Sequence, residues 1–261
     1  MAIVMLKIRH VSNKVYWTLF GFLVFLLLVD KINFSVVAKT TIGQAWLISS
    51  FGSVTVMGYG LPLLFIVLLT TMESTKIVTE NVMSRMRGRY QLFATTIMTV
   101  VVCAVFIGGT NLVVGWLLAL PDLANGWHWS PALVRTFSQY WHIGPNVRIP
   151  PAVQPLLFSV LLSLYLLALG LLWEILRQVF KDLRVCFTLS VLVVMLMAFS
   201  FKVASYSPLL GYFPVRYYVY YMGNAIPFAA ARYLIYWALI IGSLVVVLFG
   251  LHMGKKQVLY D

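Results

Sequence analysis

"YQLFATTIMTVVVCAVFIGGTNLVVGWLLALP", Tyr90 to Pro121, runs without a single Asp, Glu, Lys or Arg. A helix needs about 20 apolar residues to cross roughly 30 Å of hydrocarbon. The dense part of this run, Leu92 to Leu120, is long enough. Inside a bilayer the backbone must satisfy its own hydrogen bonds, and one continuous segment does so only as a helix. The stretch therefore reads as a membrane span, and the rest of the chain has to be consistent with one.

It is. Of 261 residues, 62% are hydrophobic and 10% charged, against about 25% charged in an ordinary soluble domain. Similar runs give six spans, at about 15–30, 48–72, 92–119, 152–174, 185–203 and 232–252. The fold expected is an all-α integral membrane protein of one domain, residues 1–261, with an even number of crossings and both termini on one side. The net charge of +12 fits the anionic face of a lipid leaflet. No nucleic-acid motif accompanies it, so no nucleic-acid partner is expected. Cys103 and Cys186 sit in or beside apolar runs and read as small buried hydrophobes.

The basic residues set the orientation. With cytoplasmic termini the inside holds Lys7, Arg9, Lys14, Lys76, Arg85, Arg87, Arg89, Arg177, Lys181, Arg184, Lys255 and Lys256. The outside holds Lys31, Lys39, Arg135, Arg148, Lys202, Arg216 and Arg232, spread over longer connectors. That bias favours both termini inside. Through "MAIVMLKIRHVSNK" (Met1–Lys14) and into the next residue, Val4, Ile8, Val11 and Val15 fall on one helical face and Lys7, His10 and Lys14 on another. This is the pattern of an amphipathic helix in the membrane interface. A cleaved signal peptide ending near "VVA" at Ala38 is the competing reading.

Three pieces break the pattern. The outer connector after the third span carries Trp127, His128, Trp129, Tyr140, Trp141 and His142. It reads as an interfacial aromatic belt or as a cap over a path. Two His thirteen residues apart, with no Cys, Asp or Glu between, make a poor metal signal. The stretch before the last span is split by Pro208, Pro214 and Pro227 and rich in tyrosine. It reads as a re-entrant or interfacial hairpin. Gly58, Gly60 and Pro62 predict a bend or hinge in the second span.

The acids, Asp30, Glu73, Glu80, Asp122, Glu174, Asp182 and Asp261, all read as lying at span ends or in connectors. An ion-coupled carrier places ionisable groups at mid-membrane, so that class is not favoured. No zinc-protease, nucleophile-elbow or P-loop motif is present. The chain is read as a non-enzyme with no cofactor of its own. A membrane-embedded enzyme, or a structural or sensory membrane protein, is the rival class.

Between spans two and three lies "ESTKIVTENVMSRMRGRYQ" (Glu73–Gln91). Val78, Val82, Met86 and Tyr90 line one helical side, with charged and polar residues on the others. A charged membrane anchor needs no apolar stripe, whereas a helix that docks in a partner's groove does. In its amphipathic N-terminus, six spans, this charged helix at about 75–90, the broken hairpin and the "GKKQVLYD" tail, the chain resembles the permease subunits of type-two ATP-binding-cassette exporters, in particular those exporting bacteriocins and antimicrobial peptides.

That resemblance implies a coupling helix whose Glu80, Met83, Ser84, Arg85 and Arg87 touch a separate ATPase, which carries ATP and Mg. It implies a second contact at Glu174–Arg184 through Arg177 and Lys181. It implies a pair of permeases, identical or not, with two ATPase copies in a bacterial plasma membrane, and an amphipathic or hydrophobic peptide as cargo. Tyr59, Pro62, Tyr217, Tyr221 and Phe228 are read as walls of the substrate path. Export of a lipid-linked molecule or polysaccharide by the same class is the alternative.

Overall fold

The structure, a computed structural model, describes residues 13–39, 42–51, 53–74, 89–123, 127–141, 150–180, 182–203 and 227–254. Among them there is no strand, and the all-helical class is borne out. In chain order the helices are α1 (Asn13–Ala38), α2 (Gly43–Ser50), a π-helical segment (Val54–Gly60), α3 (Leu61–Ser74), α4 (Arg89–Ala119), α5 (Pro131–Trp141), α6 (Val153–Phe180), α7 (Leu183–Val203) and α8 (Pro227–Gly254). A short 3₁₀ turn, Leu120–Asp122, follows α4. Five described stretches are long and apolar enough to cross a membrane: Val15–Ala38, Gly43–Glu73 taken across its interruption, Tyr90–Asp122, Val153–Phe180 and Tyr233–Gly254. The apolar stretch of α7, Leu183–Phe199, is shorter. The expected N-terminal interfacial helix lies almost wholly outside the described residues, as do most of the helix at about 75–90 and most of the hairpin before α8.

α1 differs from its expected end at residue 30. It continues for two more turns, until Lys39 takes a left-handed φ of 51°. The reason is a buried stripe, Leu23, Leu27, Asp30, Phe34 and Ala38, spaced three or four apart so that it stays on one face. Asp30 is part of that stripe. A charge with partners inside the bundle does not have to mark the end of a span.

The second span also differs from the single helix expected at 48–72. It begins at Gly43, and α2 is buried along its whole length. The chain leaves the helix at Phe51 and restarts at Ser53, whose side chain accepts a hydrogen bond from the Val56 N–H at 3.4 Å. The restart is π-helical, with the Leu61 N–H donating five residues back to the Val56 carbonyl. Pro62 explains the wide turn. In a regular helix its ring would press on the carbonyl four residues earlier, and it has no N–H to give. Widening the preceding turn lets α3 start afresh with Pro62 in its first turn, where no N–H is needed.

α6 is the central post, in contact with α3, α4, α7 and α8. Its inner residues Phe158, Leu162, Tyr165 and Trp173 join Phe51, Phe65 and Trp237 in one core. The Phe51 and Phe158 rings stack with centroids 6.0 Å apart. α4 comes close to α6 where glycines allow it: a β-carbon at Gly170 would collide with Val100 and press on Phe65, and one at Gly108 would collide with Ser163. Small residues permit such approach between apolar helices, where close packing rather than hydrophobic burial holds helices together. The Ser159 hydroxyl donates to the Gly108 carbonyl across this seam at 3.0 Å.

The connector after α4 folds back onto the bundle. Trp127 packs on Trp116, the ring centroids 4.6 Å apart and the planes tilted by 35°. The Ser130 hydroxyl caps α5 by accepting from the Leu133 N–H at 3.2 Å. α5 then lies against α1 and α2.

Gly170→Val should lower stability by about 1–3 kcal/mol through overpacking, read as thermal unfolding in detergent. Gly109→Ala meets nothing within 4 Å and should be neutral. Equal effects of the two substitutions would contradict the α4–α6 seam.

Candidate functional site

Two polar clusters hold opposite ends of the bundle. The first joins the end of α3, the end of α6, the end of α8 and the start of α4. Arg177 on α6 reaches Glu73 on α3, Nη1 to Oε2 at 3.3 Å. It also binds Glu174 one turn earlier, with Nε at 3.0 Å and Nη2 at 2.9 Å from the same oxygen. The Trp173 ring lies 6.0 Å from the guanidinium. Next along α6, Gln178 Nε2 is 2.9 Å from the ring of His252 on α8. Phe93 of α4 meets that ring edge-on at 5.6 Å.

The energetic logic is strict. The side chains of Glu174 and Glu73 are only 5% and 9% exposed. A carboxylate buried in an apolar bundle is costly unless paired and hydrogen-bonded. Arginine suits the task because its planar fork presents several donors at once. Its partial exposure, 25%, keeps its own desolvation cost down. The local sequence provides the geometry: Glu174 and Arg177 are three apart and so share a face of α6.

The second cluster joins α1, α2, the π-helical segment and the end of α4. Lys31 Nζ is 2.5 Å from Asp122 and donates to the Leu118 carbonyl at 2.7 Å. It also faces the Trp46 ring at 5.6 Å. The Trp46 indole N–H donates to Asp30 at 3.2 Å, and the Ser53 hydroxyl also hydrogen-bonds Asp30. Trp46 lies before the interruption of the second span and Ser53 after it, so one carboxylate spans the break. Gly43 permits this assembly, since a β-carbon there would collide with the Ala119 carbonyl.

Of the residues expected to contact an ATPase, Glu80, Met83, Ser84, Arg85, Arg87 and Lys181 lie outside the described residues. Arg177 is described, and its guanidinium is engaged within the chain by Glu73 and Glu174. Most of the expected connector Glu174–Arg184 is helical: residues through Phe180 belong to α6, and α7 begins at Leu183. Asp182 caps α7 by accepting from the Arg184 N–H at 2.8 Å. Of the expected substrate path, Tyr59 is half-buried in the π-helical segment and Pro62 is buried three residues on. Tyr217 and Tyr221 lie outside the described residues. Phe228 falls in the first turn of α8, and its side chain is not described. His128 is exposed and His142 lies outside the described residues. No group of three metal-ligating side chains meets among the described residues.

Sequence reasoning missed the pairing. Asp30, Lys31, Asp122, Glu73 and Glu174 read as solvated ends, and Asp30 instead lies within α1. The available signal was charge complementarity: a lysine opposite an aspartate at one level, an arginine opposite two glutamates at the other. Each charge in both clusters has a partner. Such an arrangement locks helices together or transmits displacement.

Arg177→Ala removes the guanidinium that two nearly buried carboxylates share and should cost about 3 kcal/mol, the lower end of the range for breaking a buried pair, because the guanidinium is partly exposed. Adding Glu73→Gln and Glu174→Gln should recover most of the loss in a thermal unfolding assay. No recovery would mean that the ion pairs do not account for the effect. The chain matches no family model, no curated protein and no solved structure.

Proposed function

We propose that the chain is the membrane permease of an ATP-driven exporter of the type-two ATP-binding-cassette class, moving an amphipathic or hydrophobic peptide, such as a bacteriocin, out of the cell or membrane. In this reading six spans cross a bacterial plasma membrane with both termini in the cytoplasm, α7 serving as the fifth crossing. Two permeases work with two copies of a separate ATPase. The basic bias toward the termini and residues 75–89 supports this orientation. Large apolar side chains exposed on α8, among them Leu239 and Val246, support a lipid or protein neighbour there.

One observation carries the proposal: the Glu73–Arg177–Glu174 cluster sits where the charged connector leaves α3, next to the start of α4. A force on the connector is then not absorbed by α3 alone. Through Arg177 it reaches α6, and through Gln178 and His252 it reaches α8. ATPase closure, acting on Glu80, Met83, Ser84, Arg85 and Arg87, moves these helix ends as one body. The Lys31–Asp122 and Asp30–Trp46 contacts hold the far end. Beside them the π-helical segment, with Tyr59 and followed by Pro62, is where the second span bends and the path for cargo opens.

The test is Glu80→Ala with Arg85→Ala in the permease expressed with its ATPase. The expected result is loss of co-purification and loss of cargo-stimulated ATP hydrolysis. An intact complex with unchanged hydrolysis would overturn the coupling role.

A further inference from the structure

Between the first half of α1, α3 and the middle of α4 lies an apolar groove of about 340 Å³. Leu23, Leu61, Leu64, Leu68 and Ile107 form its buried floor. Its rim is outward-facing: Trp17 is 72% exposed, Phe106 58% and Phe20 41%. Beside Leu23 and Leu61, Leu26 crowds Gly60, so that a β-carbon at Gly60 would collide with the leucine. We propose that this groove is a binding site for one acyl chain of a bilayer phospholipid, held between α1 and α3–α4 as part of the fold. The inference rests on the membrane reading above, since all three walls belong to stretches long and apolar enough to cross a bilayer.

Size and chemistry select the occupant. Water is excluded, because an apolar cavity offers it no partners and stays dry. A helix of a second copy seated on the rim would shield the floor from lipid, an outcome that labelling of the floor by lipid separates from an acyl chain within it. An extended peptide is thin enough but would bring unpaired N–H and C=O groups against apolar walls, at several kcal/mol each. An acyl chain is thin, apolar and has no backbone to satisfy. Lipid tails are as apolar as leucine, so entry gains little from the hydrophobic effect. The gain is contact with three walls that an empty groove would forfeit. The appropriate readout is therefore position rather than affinity.

The full chain is reconstituted in vesicles containing phosphatidylcholine with a photoactivatable diazirine in mid-chain, and the labelled residues are mapped by mass spectrometry. The expected result is label on the floor at Leu68 and Ile107 as well as on exposed Leu239 and Val246 of α8. The groove-filling variants Leu64→Trp and Thr110→Phe should each cut floor labelling several-fold, with α8 labelling unchanged as the sign of a folded, inserted protein. Label on α8 with none on the floor, or floor labelling undiminished in an inserted variant, overturns the acyl-chain site. Absence of label from α8 as well overturns the membrane reading itself.

Discussion

An arginine shared by two carboxylates organises one end of this bundle. Glu73 and Glu174 are nearly buried, and neither is tolerable there without a counter-charge. Arg177 supplies it to both. The consequence is geometric: the end of α3 cannot shift relative to α6 without stretching a charged hydrogen bond. Gln178 extends the same constraint to α8 through His252. Helices whose outer faces are merely apolar slide easily, since lipid and leucine are interchangeable neighbours. Paired charges and close glycine seams fix the register instead.

The opposite end is held by the same physics with different residues. Lys31 and Asp122 tie α1 to the end of α4, while Asp30 takes donors from both sides of the interruption in the second span. The second of these ends is built onto the least regular piece of the described backbone, which runs from Phe51 through the π-helical segment to Pro62. The cluster ties that irregular piece to α1 and to the end of α4. In the proposed exporter this is how a pull on a cytoplasmic helix becomes a change in the path between spans.

Much of the architecture was legible in the sequence because hydrocarbon imposes a simple rule: long uncharged apolar runs become helices. Tyr90–Pro121 needed no further information, and Pro62 announced an irregularity in its span. What was not legible followed from pairing. Asp30 and Lys31 read as the end of α1, yet α1 continues past them, and their partners, Trp46 and Asp122, arrive from other parts of the chain. Glu174 to Phe180 read as a connector, yet it is helical, and Arg177 within it meets Glu73, a hundred residues earlier, as well as Glu174. A single sequence shows charges but not which ones meet. The ordered helix α5 was hidden for a different reason, since its tryptophan-rich approach resembles a membrane belt until Trp127 is seen to pack on Trp116.

In the proposed exporter the Glu73–Arg177 end faces the cytoplasm, where an ATPase can reach it, and the Lys31–Asp122 end faces out. Cysteine accessibility in intact cells tests this most directly, with Cys103 and Cys186 replaced by alanine and single cysteines placed at Ser84 or Arg135. A membrane-impermeant maleimide should label Arg135→Cys in intact cells and Ser84→Cys only after permeabilisation. Labelling of Ser84→Cys from outside, or equal labelling of both, would contradict the account.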